Sequence, residues 1–160
     1  TSPTRKYYII NKFSCLILIK NYKNIFLAGQ QFEDVRFERE QWPNYKTKSP
    51  TGQCPFLEVN DGTHSFILTQ SVSIARYLAR KHHLAGKNEQ EHAEVDMYAD
   101  QVTDLQNEMA RAFMEKDEAR KAELTKKFNE ETLPKNLDIF EQRIAKTGSG
   151  YLVHSGLSYV

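Results

Sequence analysis

The stretch from residue 52 to residue 78 constrains the fold of this chain more than any other. It contains Pro55, which has no main-chain N–H to donate and suits the first residue of a strand or the turn before one. A cis bond before this proline is compatible with that position. Such a bend would turn the main-chain N–H and C=O of Cys54 outward, where a short extended ligand could pair with them like an added strand. A peptide is the natural ligand for such a place.

The second half of the same stretch begins a helix. Thr69-Gln70-Ser71 precedes the helical pattern of Ile74-Ala75-Arg76-Tyr77-Leu78, so Ser71 stands at the helix N-terminus. Unpaired N–H groups and the positive end of the helix dipole favour a carboxylate there. Gln70 adds an amide that can donate and accept hydrogen bonds. Together the two halves predict a site for a small anionic molecule.

Size, charge and cysteine content narrow the classes of partner. The chain has 160 residues, enough for one domain or two small ones. A formal net charge of +1 lacks the basic excess typical of binding to nucleic acid or an anionic membrane, so neither partner is expected. Two cysteines, Cys15 and Cys54, are too few for the disulfide framework of a secreted domain, which favours a cytoplasmic location. No His or Cys group has zinc-ligand spacing, so no metal is expected. The apolar run Phe13–Ile19 is too short to span a bilayer.

Strand and helix patterns alternate as far as residue 84. The predicted elements, in order, are a strand at Lys6–Ile10, an ambiguous segment at Leu16–Leu27, a strand at Asp34–Glu38, a hairpin of Phe56–Val59 and Ser65–Leu68 around Asn60-Asp61-Gly62, and a helix from Ser71 to about His82. This order is βαβ followed by ββα. Ala85–Asn88 breaks the pattern and residues 89–144 are helix-compatible throughout, which predicts a domain boundary.

The helical half carries an apolar stripe and an acidic face. Apolar residues at steps of three and four predict a core-facing stripe, formed by Val95, Tyr98, Val102, Leu105, Met109 and Ala112. Asp96, Asp100 and Asp104 stack at steps of four on the opposite side. This acidic face has two open interpretations, a solvated surface or one that binds a cation or an ammonium group across an interface.

A later helix is predicted to begin at Thr132. Its hydroxyl could cap the helix, Pro134 is tolerated in the first turn, and Gly148-Ser149-Gly150 would end it. The apolar face of this helix would consist of Leu133, Leu137, Phe140 and Ile144.

Several motifs resemble those of one family in order and spacing. They are Gln41-Trp42-Pro43-Asn44-Tyr45-Lys46, Gly52-Gln53-Cys54-Pro55, Thr69-Gln70-Ser71, Ile74-Ala75-Arg76-Tyr77-Leu78 and Leu84-Ala85-Gly86. The chain resembles the cytosolic glutathione transferases, most of all the sigma-type and related invertebrate enzymes. The resemblance implies an α+β, thioredoxin-like domain over residues 1–84 that binds glutathione as co-substrate. It also implies an all-helical, truncated domain over residues 89–160 that shapes the site for a hydrophobic electrophile, and a homodimer.

The resemblance also implies roles for individual residues. Trp42 and Lys46 would contact the glycine end of glutathione, the main chain of Cys54 would pair with the cysteinyl unit, and Gln53 would lie beside the peptide. Gln70 and Ser71 would hold the γ-glutamyl end, and Asp104 would reach the γ-glutamyl ammonium in the partner subunit. The alternatives are that Trp42 only covers the core, that Lys46 is a solvated lysine, that Ser71 is only a helix cap, and that Cys54 contributes only a buried thiol.

The chemistry of such an enzyme depends on the thiol of bound glutathione. In the family, a tyrosine near the end of the first strand donates its hydroxyl to the sulfur and lowers the pKa of the thiol. Tyr8 is the candidate catalytic residue and Tyr7 the alternative; they point to opposite faces of the strand, so only one can serve. Asn11–Lys20 departs from the family pattern, because the usual arginine and glycine after the tyrosine are missing.

Three functions therefore stay open from the sequence. The leading hypothesis is a glutathione transferase, with isomerisation of a prostaglandin endoperoxide as one activity known among sigma-type relatives. The second is a catalytically silent member comparable to the lens crystallins derived from sigma-type transferases. The third is a module that binds glutathione or a partner without chemistry. Thiolate formation on binding distinguishes the first hypothesis from the other two.

Overall fold

The computed structural model describes residues 6–12, 29, 31–60 and 62–160, which form two compact units. Unit 1 is Thr1–Leu84 with Tyr159, and unit 2 is Ala85–Ser158 with Val160. The predictions made for Phe13–Ile19, for Leu16–Leu27 and for Cys15 lie outside the described residues. So does the part of the atypical segment that follows Lys12.

Unit 1 contains a four-stranded mixed sheet. Its strands are β1 (Lys6–Lys12), β2 (Glu33–Phe37), β3 (Phe56–Asn60) and β4 (Ser65–Thr69), in the spatial order β2-β1-β3-β4. β1 and β2 pair in parallel, and the other two pairs are antiparallel. A parallel pair needs a long crossover between its strands, as the predicted βαβ order requires. The sheet and the β3–β4 hairpin confirm the predicted thioredoxin-like order.

Two helices of unit 1 frame the sheet. α1 is the short helix Trp42–Lys46, which follows a 3₁₀ turn at Arg39–Gln41, and α2 is Ser71–Lys81. Strand side chains alternate between faces, so each face has its own core. On one face, Ile74 and Leu78 of α2 pack on a buried strand cluster formed by Tyr7, Ile9, Leu57 and Val59. On the other, Phe37 and Phe56 pack against residues that include Tyr8, Trp42 and Tyr45.

Unit 2 is built from helices. They are α3 (Glu89–Met114), α4 (Glu118–Lys127) and α5 (Leu133–Thr147), with a π-helical turn at Phe128–Thr132 between α4 and α5. Asn88 and Asp117 cap α3 and α4 by accepting main-chain hydrogen bonds, and Gly148 ends α5 in the left-handed conformation, with φ of 64°. Among the described residues, no helix is both long and apolar enough to cross a membrane.

The last helix, α5, begins directly after Thr132 as predicted, but the predicted cap by the Thr132 hydroxyl is wrong. Thr132 has helical dihedral angles and caps nothing; its hydroxyl instead donates to Glu108 Oε2 at 3.1 Å. The N–H of Leu133 bonds to the carbonyl of Phe128, five residues back, so the backbone passes through the π turn into α5 without a break. The predicted apolar face is only partly buried, because Leu137 is 51% exposed. The stripe on α3 likewise buries Val95, Tyr98 and Ala112 but leaves Met109 exposed.

Polar contacts hold the loops of unit 2 to its helices. Arg143 forms an ion pair with Glu94 through Nη2, and its Nε donates to the carbonyl of Leu152 at 2.7 Å. The Glu91 carboxylate accepts the main-chain N–H of Lys87 at 2.8 Å and that of Ser155 at 3.1 Å. Hydrogen bonding from Ser155 and from the main chain of Lys87 lowers the pKa of Glu91 below its ordinary value.

Candidate functional site

The candidate site begins with the loop between α1 and β3. Gly52 in this loop has a φ of 63°, a conformation that glycine adopts without strain. A Cβ placed on Gly52 would lie 3.5 Å from Cε of Lys46, so the lysine stem runs alongside the loop. Ser49, which is buried, accepts the N–H of Gln53 at 3.1 Å and donates to its carbonyl at 2.6 Å. The main chain of Gln53 is therefore held from both sides.

The loop ends at a cis peptide bond between Cys54 and Pro55. Pro55 is buried and stands immediately before β3, as the sequence predicts from its missing N–H. Cys54 is half-buried and packs with Trp42 against the Phe37–Phe56 cluster. Its side chain therefore lies on the sheet face opposite α2, as expected for a residue whose predicted role uses the main chain.

The start of α2 forms the second part of the site. Gln70 has φ of 69° and ψ of 115°, dihedral angles that non-glycine residues rarely adopt. Its carbonyl accepts the first helical bond, from Ile74 N at 2.9 Å, whereas its side chain makes no capping bond. Nε2 of Gln70 donates to Oε1 of Gln53 at 3.1 Å. The structure therefore brings Gln53, Gln70 and the first turn beginning at Ser71 together.

Trp42 and Lys46 occupy the two ends of α1. The Trp42 ring is half-buried and stacks on Phe37, with 5.3 Å between centroids, and Tyr45 stacks on the same ring at 5.0 Å. Lys46 is exposed, with its stem beside Gly52. The stacking shows that Trp42 covers part of the core, and the side chain is only partly buried.

The two candidate tyrosines lie on opposite faces of β1, as predicted. Tyr7 is buried on the α2 face, and its hydroxyl lies 3.3 Å from Nε2 of His82, just beyond the C-terminal end of α2. Tyr8 is half-buried on the other face and packs with the Phe37–Phe56 cluster, as Trp42 and Cys54 do. β1 continues for four residues beyond Tyr8, two residues further than the predicted strand Lys6–Ile10.

The acidic face lies on α3 in unit 2. Asp96 is half-buried, and Asp100 and Asp104 are exposed. Within the described part of the chain, no group of three or more His, Cys, Asp or Glu side chains is arranged to hold a metal ion. The structure thus joins Gln53 to Gln70 beside Ser71 and packs Tyr8, Trp42 and Cys54 against the Phe37–Phe56 cluster. Asp104 is an exposed residue of α3 in unit 2.

Comparison with known proteins decides the family. The N-terminal domain of glutathione S-transferases matches residues 3–80, and the C-terminal domain matches residues 103–160. The structure of prostaglandin synthase D of Nilaparvata lugens superposes with a TM-score of 0.83 and 34% identity, covering 96% of this chain and 75% of that one. The chain belongs to the glutathione S-transferase family.

Two curated proteins are similar to this glutathione S-transferase chain over most of its length. It is 42% identical over 136 residues to probable glutathione S-transferase 7 of Caenorhabditis elegans, covering 83% of this chain and 64% of that protein. It is 35% identical over 129 residues to S-crystallin SL11 of Nototodarus sloanii, covering 79% of this chain and 61% of that protein. The chain therefore spans less than two thirds of the length of these curated relatives.

Sequence reasoning did not find Ser49. A serine before a proline in a turn-rich stretch carries little signal, because serine hydroxyls bond to nearby main-chain groups in many loops. The spacing of four residues between Ser49 and Gln53 was the available clue.

Proposed function

We propose that this chain binds glutathione in unit 1 and joins it through its thiol sulfur to a hydrophobic electrophile. The pairing of Gln53 with Gln70 at the uncapped N-terminus of α2 is the observation that carries the proposal. Free N–H groups in a first helical turn attract a carboxylate, so the γ-glutamyl carboxylate would bind at Ser71. The two neighbouring amides would supply donors and acceptors for the rest of that end of the tripeptide.

The remaining groups suit the other parts of the tripeptide. The main chain of Cys54 would pair with the cysteinyl unit, and Trp42 and Lys46 would contact the glycine end. The position of the Lys46 stem beside Gly52 supports this assignment, because it places the lysine along the loop that leads to Gln53 and Cys54. Asp104 of a second copy of the chain would pair with the γ-glutamyl ammonium, which requires the homodimer that we also propose.

Tyr8 is the proposed catalytic residue. A hydroxyl that donates to the glutathione sulfur stabilises the thiolate and so lowers the pKa of the thiol. The thiolate would then form a bond to the electrophilic carbon, and the leaving group or opened ring would take the electron pair. Tyr8 lies on the same sheet face as Trp42 and Cys54. The hydroxyl of Tyr7 instead lies beside His82, which follows the C-terminal end of α2, whereas Ser71 is at its N-terminal end.

Ultraviolet difference spectroscopy with glutathione across pH tests this function. A thiolate signal near neutral pH is expected for the unchanged chain, and Tyr8→Phe should remove it. Tyr7→Phe is the matched control, because it removes the same hydroxyl from the other face of the same strand and should keep the signal. Loss of the signal only in Tyr7→Phe would transfer the role to that residue.

The structure gives one observation in favour of a catalytically silent, glutathione-binding protein. Tyr8 is opposite Glu58 in the sheet, whereas Ile10 is opposite Phe56, the residue that follows Pro55. Tyr8 is therefore two strand positions, about 7 Å, from the level of Phe56, where β3 begins after the loop. Glutathione binding measured by calorimetry with no thiolate signal would establish the silent function, for which S-crystallin is a named relative.

Three further features complete the proposal. We place the chain in the sigma class, with detoxification of electrophiles or isomerisation of a prostaglandin endoperoxide as its reaction. Sedimentation equilibrium should show twice the mass of the chain if the homodimer forms. A cytoplasmic location is proposed because the chemistry uses reduced glutathione, and fluorescence microscopy of the tagged chain tests it.

A further inference from the structure

The Ser49 side chain makes two hydrogen bonds to the main chain of one loop residue. It is 6% exposed, and its single hydroxyl both accepts the N–H and donates to the carbonyl of the same residue, Gln53, at 3.1 and 2.6 Å. The carbonyl of Ser49 also accepts the N–H of Gly52 at 3.0 Å. Side chain and main chain of this one residue therefore close the loop between α1 and β3.

The effect of this closure continues beyond the loop. Gln53 is exposed, yet its Oε1 accepts Nε2 of Gln70, a residue 17 positions later at the start of α2. A long exposed amide side chain loses rotamer freedom when it is held in one position. The two Ser49 bonds fix the main chain of Gln53. The Gln53 side chain then has fewer conformations to lose when its amide pairs with Gln70.

We propose that Ser49 is a positioning residue for glutathione binding, which acts through Gln53 and Gln70 without touching the tripeptide. This inference rests on the proposed function, because it assigns a role in the same site. Preorganised binding groups give higher affinity because less conformational freedom is lost when the ligand binds. Removing the Ser49 hydroxyl would release both main-chain groups of Gln53 and loosen its pairing with Gln70.

The experiment is calorimetric titration of glutathione into the full chain and its variants. Ser49→Ala should raise the Kd for glutathione about three- to tenfold, the range that the loss of one or two modest hydrogen bonds produces. Ser49→Thr keeps a hydroxyl and should restore most of the affinity. In the background of Gln53→Ala, Ser49→Ala should weaken binding less than it does alone, because the side chain through which it acts is already absent.

Ser149 provides the matched control in unit 2. Its hydroxyl also clamps a loop, accepting the N–H of Tyr151 at 3.2 Å and donating to the carbonyl of Val153 at 2.9 Å. Ser149→Ala should lower the thermal unfolding midpoint without changing the Kd for glutathione. If Ser49→Ala lowers stability as Ser149→Ala does and leaves the Kd unchanged, the role of Ser49 is merely structural and the inference is wrong.

A measurement on the unchanged chain makes the test independent of how well the variants fold. The main-chain N–H of Gln53 should show protection from hydrogen exchange without ligand, and an unprotected rate would contradict the clamp. The outcomes also separate the two proposals. No glutathione binding by the unchanged chain overturns both, whereas normal binding that survives Ser49→Ala overturns the role of Ser49 alone.

Discussion

The backbone conformation of Gln70 predicts that Gln70→Gly is more stable than Gln70→Ala, although alanine usually gives the more stable variant. With φ of 69° and ψ of 115°, this residue lies outside the regions that side chains with a Cβ normally adopt. Such a conformation costs about 1–3 kcal/mol in a non-glycine residue. Gln70→Ala keeps this conformational cost, and Gln70→Gly removes it. Both variants lose the side-chain hydrogen bond to Gln53 equally. Comparing the two variants therefore isolates the backbone cost.

The expected difference follows from two opposing contributions. Removing the cost favours the glycine variant by about 1–3 kcal/mol, and the greater freedom of glycine in the unfolded chain opposes it by about 0.5–1 kcal/mol. Gln70→Gly should therefore be more stable than Gln70→Ala by up to about 2.5 kcal/mol, the reverse of the usual order. The measurement is urea unfolding followed by the fluorescence of Trp42, the only tryptophan, which lies in unit 1. An alanine variant more stable than the glycine variant would refute the reasoning.

Two further predictions concern unit 2. Glu91→Gln removes a carboxylate whose pKa is lowered by Ser155 and Lys87, so the parent chain should be more stable at neutral pH. This advantage should disappear as the pH falls through the lowered pKa of Glu91, and thermal unfolding of both chains measured from neutral pH downward into the acid range checks it. Arg143→Met removes the cationic partner of Glu94 and a donor to the carbonyl of Leu152, so a loss of about 1–3 kcal/mol is expected in urea unfolding. Arg143→Lys, which keeps the charge, should recover part of that loss.

Elements specified by neighbouring residues were predictable from the sequence. The β3–β4 hairpin follows from a turn signal between two apolar runs, and α2 begins at Ser71 because the helical pattern starts there. Thr132 carries an equally clear local signal and still caps nothing, because the backbone continues through the π turn. Local signals cannot show whether a preceding helix has already ended.

Some features of the candidate site were likewise predictable from local sequence, and others were not. The positions of Gln70 and Ser71 at the start of α2 follow from a short local pattern. The pairing of Gln53 with Gln70 depends on how the loop before β3 and the end of β4 meet in the sheet, which the local patterns do not specify. The face of β1 on which each tyrosine lies follows from strand alternation, whereas the length of the strand beyond Tyr8 does not.

The π turn at Phe128–Thr132 determines how unit 2 can tolerate changes in length. A π turn holds about one residue more than an α-helical turn, and one residue corresponds to about 100° of rotation about the helix axis. Deleting one residue here would leave a continuous α-helix, with its backbone hydrogen bonds intact, but would rotate every side chain of α5 by that angle. Asn136 accepts the amide of Gln101 at 2.6 Å from its present direction, and it would then face elsewhere. The extra residue therefore sets the rotational register between α5 and α3.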